Sequence, residues 1–148
     1  MRGPTRFMRY HDDPGATDGS IDADGWFNTG DLARFDGDCM FIAGRTKEMI
    51  IRSGFNVYPA EVEAVLNSHD AVVQSAVVGR VTGGNEEVVA FVQLMQGART
   101  TPSELMAFAN GLLTSYKRPS QIFVLDALPA TSSGKILKHK LAETLLAQ

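Results

Sequence analysis

A chain of 148 residues, 44% hydrophobic and 21% charged, is sized and balanced for one globular domain or a small domain plus a fragment. Its net charge of −3 creates no field that favours nucleic acid, and no apolar run approaches the ~20 residues of a membrane span. The lone Cys39 excludes an internal disulfide and points to a reducing compartment, and the start "MRGPTRFMRYHDD" has no apolar signal-peptide core, so the expected location is the cytoplasm.

Residues 1–30 read as loop, because "HDDPGATDGSIDADGW" is dense in Asp, Gly, Ser and Pro and has no period. In "DLARFDGDCMFIAGR", Leu32, Phe35, Met40 and Ile42 flank a "DGD" turn, which predicts a β-hairpin. "EMIIRSGFNVYP" predicts two further short strands about Ser53-Gly54. Composition changes near Gly44-Arg45, where a domain boundary is expected. "PAEVEAVLNSH" then reads as a helix: Pro59 suits the first helical position, Glu61 and Glu63 suit the first turn, and Val62, Val65 and Leu66 share a face. "AVVQSAVVGRV" and "EEVVAFVQLM", separated by "TGGN", read as β-branched strands. Thr101, Pro102 and Glu104 form a capping signature ahead of Leu105, Phe108, Ala109 and Leu112 at helical period. "QIFVLDALP" predicts one more strand. A helix is expected over 136–145, with Leu137, Leu141 and Leu145 stacked. The order is β-rich, then α-β-β-α-β-α, which describes a small α+β domain of about 100 residues.

Four stretches carry candidate chemistry. "SIDADGWFNTGD" places Asp22, Asp24, Gly25 and Asp31 near EF-hand spacing, but it starts on Ser20, ends on Asp and has no helical flanks, so calcium is not the favoured reading. His11, His69 and His139 lack metal-ligand spacing; they are expected at the surface and no metal site is predicted. In "NTGD", Asp31 stands at a strand entrance, where one carboxylate could accept bonds from the two hydroxyls of a ribose; a turn-capping Asp is the simpler reading of the tetrapeptide. In "GRTKEMIIRSGFNVYP", Arg45 and Lys47 lie two apart at the expected boundary, and Gly54 permits close backbone approach; a solvated charge pair and hairpin geometry explain the same residues. "ATSSGKILKHK" is not a P-loop. Its Lys135 follows a small-residue turn that could offer backbone N–H groups and an ammonium to an anion, or could be solvated beside a basic helix face at Lys138 and Lys140.

Together and in order, "DGWFNTGDLARFDGD", "GRTKEMIIRSGFNVYPAEVE" and "SYKRPSQIFVLDALPATSSGKILKHKL" resemble the adenylate-forming superfamily of acyl-CoA synthetases, nonribosomal-peptide adenylation domains and luciferases. "MIIRSGFNVYPAEVEA" is most similar to the bacterial fatty-acyl and aryl-CoA synthetase branch. The resemblance implies that 1–43 is the tail of a large N-terminal AMP-binding domain and 44–148 the small C-terminal domain. It implies a central mixed sheet flanked by about three helices, behind a loop and hairpin remnant. It further implies a reaction in which a carboxylic acid and ATP, with magnesium bound mainly by the N-terminal domain, give an acyl-adenylate that coenzyme A converts to a thioester. On that resemblance Lys135 is the catalytic lysine, Asp31 and Arg45 contact the nucleotide, Lys47 is the hinge, and Gly54 lines the pantetheine tunnel. Some relatives carry Lys where this chain has Ile51 and Ser53, which leaves the coenzyme A contacts open there. No "TSGTTGxPKG"-like phosphate loop is present in the 148 residues. The expectation is therefore the C-terminal part of a larger enzyme, inactive alone, whose partner is the N-terminal domain in cis. Homodimerisation is left open, and the competing expectation is a non-catalytic regulatory or docking module.

Overall fold

The computed structural model describes residues 1–146; positions 147–148, the end of the expected C-terminal domain, lie outside the described residues. The first thirty residues are not all loop. Helix α1, Pro14–Ser20, has Pro14 at its start and Asp13 as its cap, whose Oδ1 accepts from Ala16 N at 2.9 Å. Seven residues of turn-forming type are too few to display a helical period, so Asp13 and Pro14 are the sequence signals. Strands β1, Asp31–Asp36, and β2, Cys39–Arg45, form the expected hairpin, with Asp31 opposite Arg45 at its base. Phe35, Met40 and Ile42 on this hairpin are largely exposed.

A short 3-10 turn, Thr46–Glu48, leads from the hairpin into β3, Ile50–Arg52, and β4, Phe55–Val57. These two pair antiparallel about Ser53 and Gly54, both in the left-handed region with φ of 51° and 83°. Helix α2 spans Pro59–Asn67, β5 spans Val72–Thr82 and β6 spans Asn85–Leu94. Helix α3, Pro102–Leu112, carries the expected capping box and crosses to β7, Gln121–Leu125. Among the described residues, a three-stranded sheet has the order β5-β6-β7, antiparallel between β5 and β6 and parallel between β6 and β7. It is the mixed sheet of the α+β expectation, and helices α2, α3 and α4, Lys138–Leu146, surround it.

Why β5 and β6 read as continuous apolar runs is clear from their two faces. Val88, Ala90 and Val92 face a cluster with Val62, Leu66, Leu105 and Ala109 of α2 and α3. The alternate residues Val89 and Phe91 join Ala76, Val78, Leu128, Leu141 and Leu145, the last two from α4. A strand buried on both faces loses the polar alternation of a half-exposed one. The β3–β4 hairpin docks on this unit through Ile50 and Val57, both buried. Side chains complete the docking: Ser53 N donates to Asn85 Oδ1 at 2.7 Å, and Ile51 N donates to the Glu86 carboxylate.

Three further expectations need correction. The last helix begins at Lys138, not 136, because Ile136 is engaged in an isolated β-bridge with Ala130. Leu112 is exposed; Leu113, the residue capping α3 in extended conformation, is buried in its place. His69 is not a plain surface residue: its ring stands edge-on to Phe108, with centroids 4.9 Å apart, and its Nδ1 accepts from Ala71 N at 3.1 Å.

Candidate functional site

All the expected site residues except Gly54 gather around the 3-10 turn that joins the first hairpin to the rest. Asp31 and Arg45 meet because they are register partners at the hairpin base, with Arg45 Nε 3.1 Å from Asp31 Oδ1. Arg45 is therefore an ion-pair partner, although its side chain stays exposed. Arg45 and Lys47 line one groove of about 440 Å³ with Tyr10, Phe27, Asn28 and Gly30. Lys47 also lines a second groove of about 620 Å³, and Lys135 stands on that groove too. Ile50, Val77, Val78 and Gly79 also line it, as do His139 and Ala142 of α4. Lys47 is thus shared by both grooves.

Lys135 is held by a closed turn. Gly134 N donates to Thr131 O at 2.9 Å, Lys135 N donates to Thr131 Oγ1 at 3.1 Å, and Thr131 N donates to Lys135 O at 2.9 Å. Gly134 has φ of 83°, a conformation that glycine adopts at no steric cost. The amides of Gly134 and Lys135 are spent inside the turn. Those two amides are therefore not offered to an anion, and what the loop presents beside the remaining Ser132 and Ser133 backbone is the exposed Lys135 side chain. Asp22, the centre of the calcium-like stretch, is spent in the same way: its Oδ1 accepts from Asp24 N at 3.1 Å and Trp26 N at 2.8 Å.

Gly54 lies apart from both grooves, at the exposed turn of β3–β4. A Cβ built there meets nothing within 4 Å of this chain, so any obstruction it caused would fall on a molecule arriving from outside. Phe55 beside it stacks on Tyr116, with ring centroids 4.7 Å apart.

The structure brings in residues that the sequence reading left out. Lys138, expected on a solvated basic face, places its Nζ 2.7 Å from Glu48 Oε2 and 2.9 Å from Glu63 Oε1. Burial alone would push the Lys138 ammonium down in pKa, but the hydrogen bonds and charges of Glu48 and Glu63 outweigh it and hold it above its ordinary value. Glu48 and Lys138 are 90 residues apart, and no local pattern links them. Elsewhere, the hydrogen bond from Arg80 holds the Glu87 carboxyl below its ordinary range. Among the described residues, no group of three or more His, Cys, Asp or Glu side chains is placed to hold a metal ion, and no helix is long and apolar enough to cross a membrane.

Fold and site together define a small α+β domain with cationic grooves at its junction with a preceding hairpin. The chain belongs to the AMP-binding enzyme C-terminal domain family, whose model matches residues 61–135. It is 40% identical over 98% of its length to the mitochondrial medium-chain acyl-CoA ligase ACSF2 of Bos taurus, covering 24% of that protein. It is also 40% identical over 97% of its length to a long-chain-fatty-acid–CoA ligase of Yersinia pestis, covering 25%. The chain thus spans about a quarter of the length of these relatives. ATP-bound MatB from Rhodopseudomonas palustris aligns with a TM-score of 0.88 at 35% identity, over 97% of this chain and 29% of that one. Apo MatB aligns over the same shares with a TM-score of 0.68.

Proposed function

We propose that this chain is the C-terminal part of an ATP-dependent acid–thiol ligase acting on a fatty or aryl acid. One observation carries the reading: Arg45, Lys47 and Lys135 line two adjoining grooves that share Lys47, and Asp31 is ion-paired to Arg45 at the edge of the first. Asp31 receives the ribose hydroxyls through the carboxylate that Arg45 now orients, and Arg45 contacts the nucleotide. Lys135 brings its ammonium to the substrate carboxylate and α-phosphate as they meet, where negative charge builds up. Magnesium enters with ATP and is held mainly by the N-terminal domain, the partner in cis. Lys47 absorbs the rotation that exchanges this face for the one bearing Gly54, where coenzyme A arrives. Support for a hinge comes from the two forms of MatB: at equal coverage, the chain's arrangement fits the ATP-bound form much better than the apo form. Gly44 of the hairpin packs under Tyr58, where an added Cβ would lie 3.3 Å from Cδ1, so the two sides of the hinge meet closely in this arrangement. The exposed free thiol of Cys39 supports a reducing location, the cytoplasm.

A chimera carrying this chain behind the N-terminal remainder of the Yersinia pestis relative tests the proposal. Pyrophosphate release from ATP and a fatty acid, without coenzyme A, should fall about 10²-fold or more in Lys135→Ala, the scale of one lost transition-state stabiliser. The chain alone should give no thioester. A folded chimera indifferent to Lys135→Ala, or turnover of about one per second by the chain alone, would overturn the reading.

A further inference from the structure

We infer that Lys138 is a positioning residue that fixes the Lys135 loop relative to the hinge by clamping Glu48 to Glu63. The inference rests on the proposed roles of Lys135 and Lys47. Lys138 is the first residue of α4 and stands three positions after Lys135. Glu48 follows Lys47 directly in the 3-10 turn. One ammonium therefore ties the residue after the hinge to the residue that opens the helix behind the catalytic loop, at 2.7 Å and 2.9 Å from its two carboxylates.

The third member makes this a fixed point and not a mobile surface pair. Glu63 Oε1 also accepts from Val77 N at 2.8 Å, so the carboxylate is anchored to the sheet through β5. Glu63 and Lys138 are the less exposed members, with side chains 17% and 24% accessible. A salt bridge on an open surface contributes little. Here, removing the ammonium would leave two carboxylates facing each other with partial loss of solvent, and like charges at that range repel. Glu48, on the short turn, is the one free to swing away, and the hinge then loses its attachment to the body that carries Lys135. A displacement of about 1 Å in a catalytic group can cost about 10²-fold in rate, so the clamp matters for chemistry without touching substrate.

The first test uses this chain and amide hydrogen exchange. In Lys138→Met, the amides of Met49, Gly134 and Lys135 should exchange at least ~10-fold faster, a loss of about 1.4 kcal/mol in local protection. Those of Phe91 and Val92 in the sheet centre should not change. Lys138→Arg should restore protection, because a guanidinium can serve two carboxylates. Exchange that is unaltered, or that rises equally at all these amides, would overturn the clamp. The second test uses the chimera: Lys138→Met should lower kcat for pyrophosphate release about 10-fold with KM for ATP within twofold, and Lys138→Arg should recover it. If Lys135→Ala impairs release but Lys138→Met does not, the positioning role is wrong. If Lys135→Ala itself has no effect, the functional reading fails while the exchange result still decides the clamp.

Discussion

Helix α4 docks through few contacts, and Leu141→Ala should expose that. Leu141 is 2% exposed and Leu145 9%, and they are the helix's two buried residues. The substitution deletes three carbons from a closed site, which at ~0.8 kcal/mol per carbon removes about 2.5 kcal/mol of transfer energy. A cavity left open would raise the cost toward ~5 kcal/mol. An escape exists, however: a helix of nine residues that retains one buried leucine can undock, and undocked it is too short to stay helical. The cost should therefore appear as local opening. Amides of α4 should exchange up to ~60-fold faster, the equivalent of about 2.5 kcal/mol at 1.4 kcal/mol per decade. Those of β6 should change by much less, and a urea midpoint read from the sheet should shift less than a cavity of that size implies. A global loss of ~4–5 kcal/mol with α4 exchanging no faster than β6 would refute this reasoning and show that the helix is an inseparable part of the core.

Gly54→Asn tests the second face of the proposed enzyme. Asn tolerates the left-handed backbone that Gly54 adopts, so the added side chain, and not strain, is the main change. In the chimera it should reduce thioester yield from supplied acyl-adenylate about 10-fold and leave pyrophosphate release unchanged. Gly97→Asn, at another open left-handed turn with φ of 82°, should alter neither; equal damage from both would remove Gly54 from the tunnel. The Glu87 carboxyl is held below its ordinary value of 4.5, first by the Arg80 hydrogen bond. A depressed carboxyl stabilises the fold above its unfolded pKa and loses that contribution as pH falls through the folded pKa. Glu87→Gln should therefore be less stable than the natural chain at neutral pH, with the gap closing below about pH 4.5; a gap constant to pH 3 would contradict the assignment.

Local chemistry was enough for the elements that locality controls. The capping box at Thr101–Glu104, the Ser53-Gly54 turn, the "DGD" hairpin and the β-branched runs of β5 and β6 each state their conformation within a few residues, through side-chain caps, glycine's access to positive φ and side-chain shape. The ordered motifs carried the family resemblance for the same reason, since each is a contiguous string. Short or context-dependent features were less legible. Seven residues of α1 show no period, and the choice between Leu112 and Leu113 for burial depends on where α3 stops against the sheet. Only tertiary structure decided which charges meet. Hairpin register joins Asp31 to Arg45, and the packing of α4 against β5 brings Lys138 to Glu48 across 90 residues and to Glu63. A lysine's sequence neighbourhood records its local conformation, but its partners and solvent exposure are set by whatever the folded chain places at the end of its flexible stem. For that reason Lys135 and Lys138, three residues apart in one basic string, came out as an open ammonium on a groove and a closed clamp behind it.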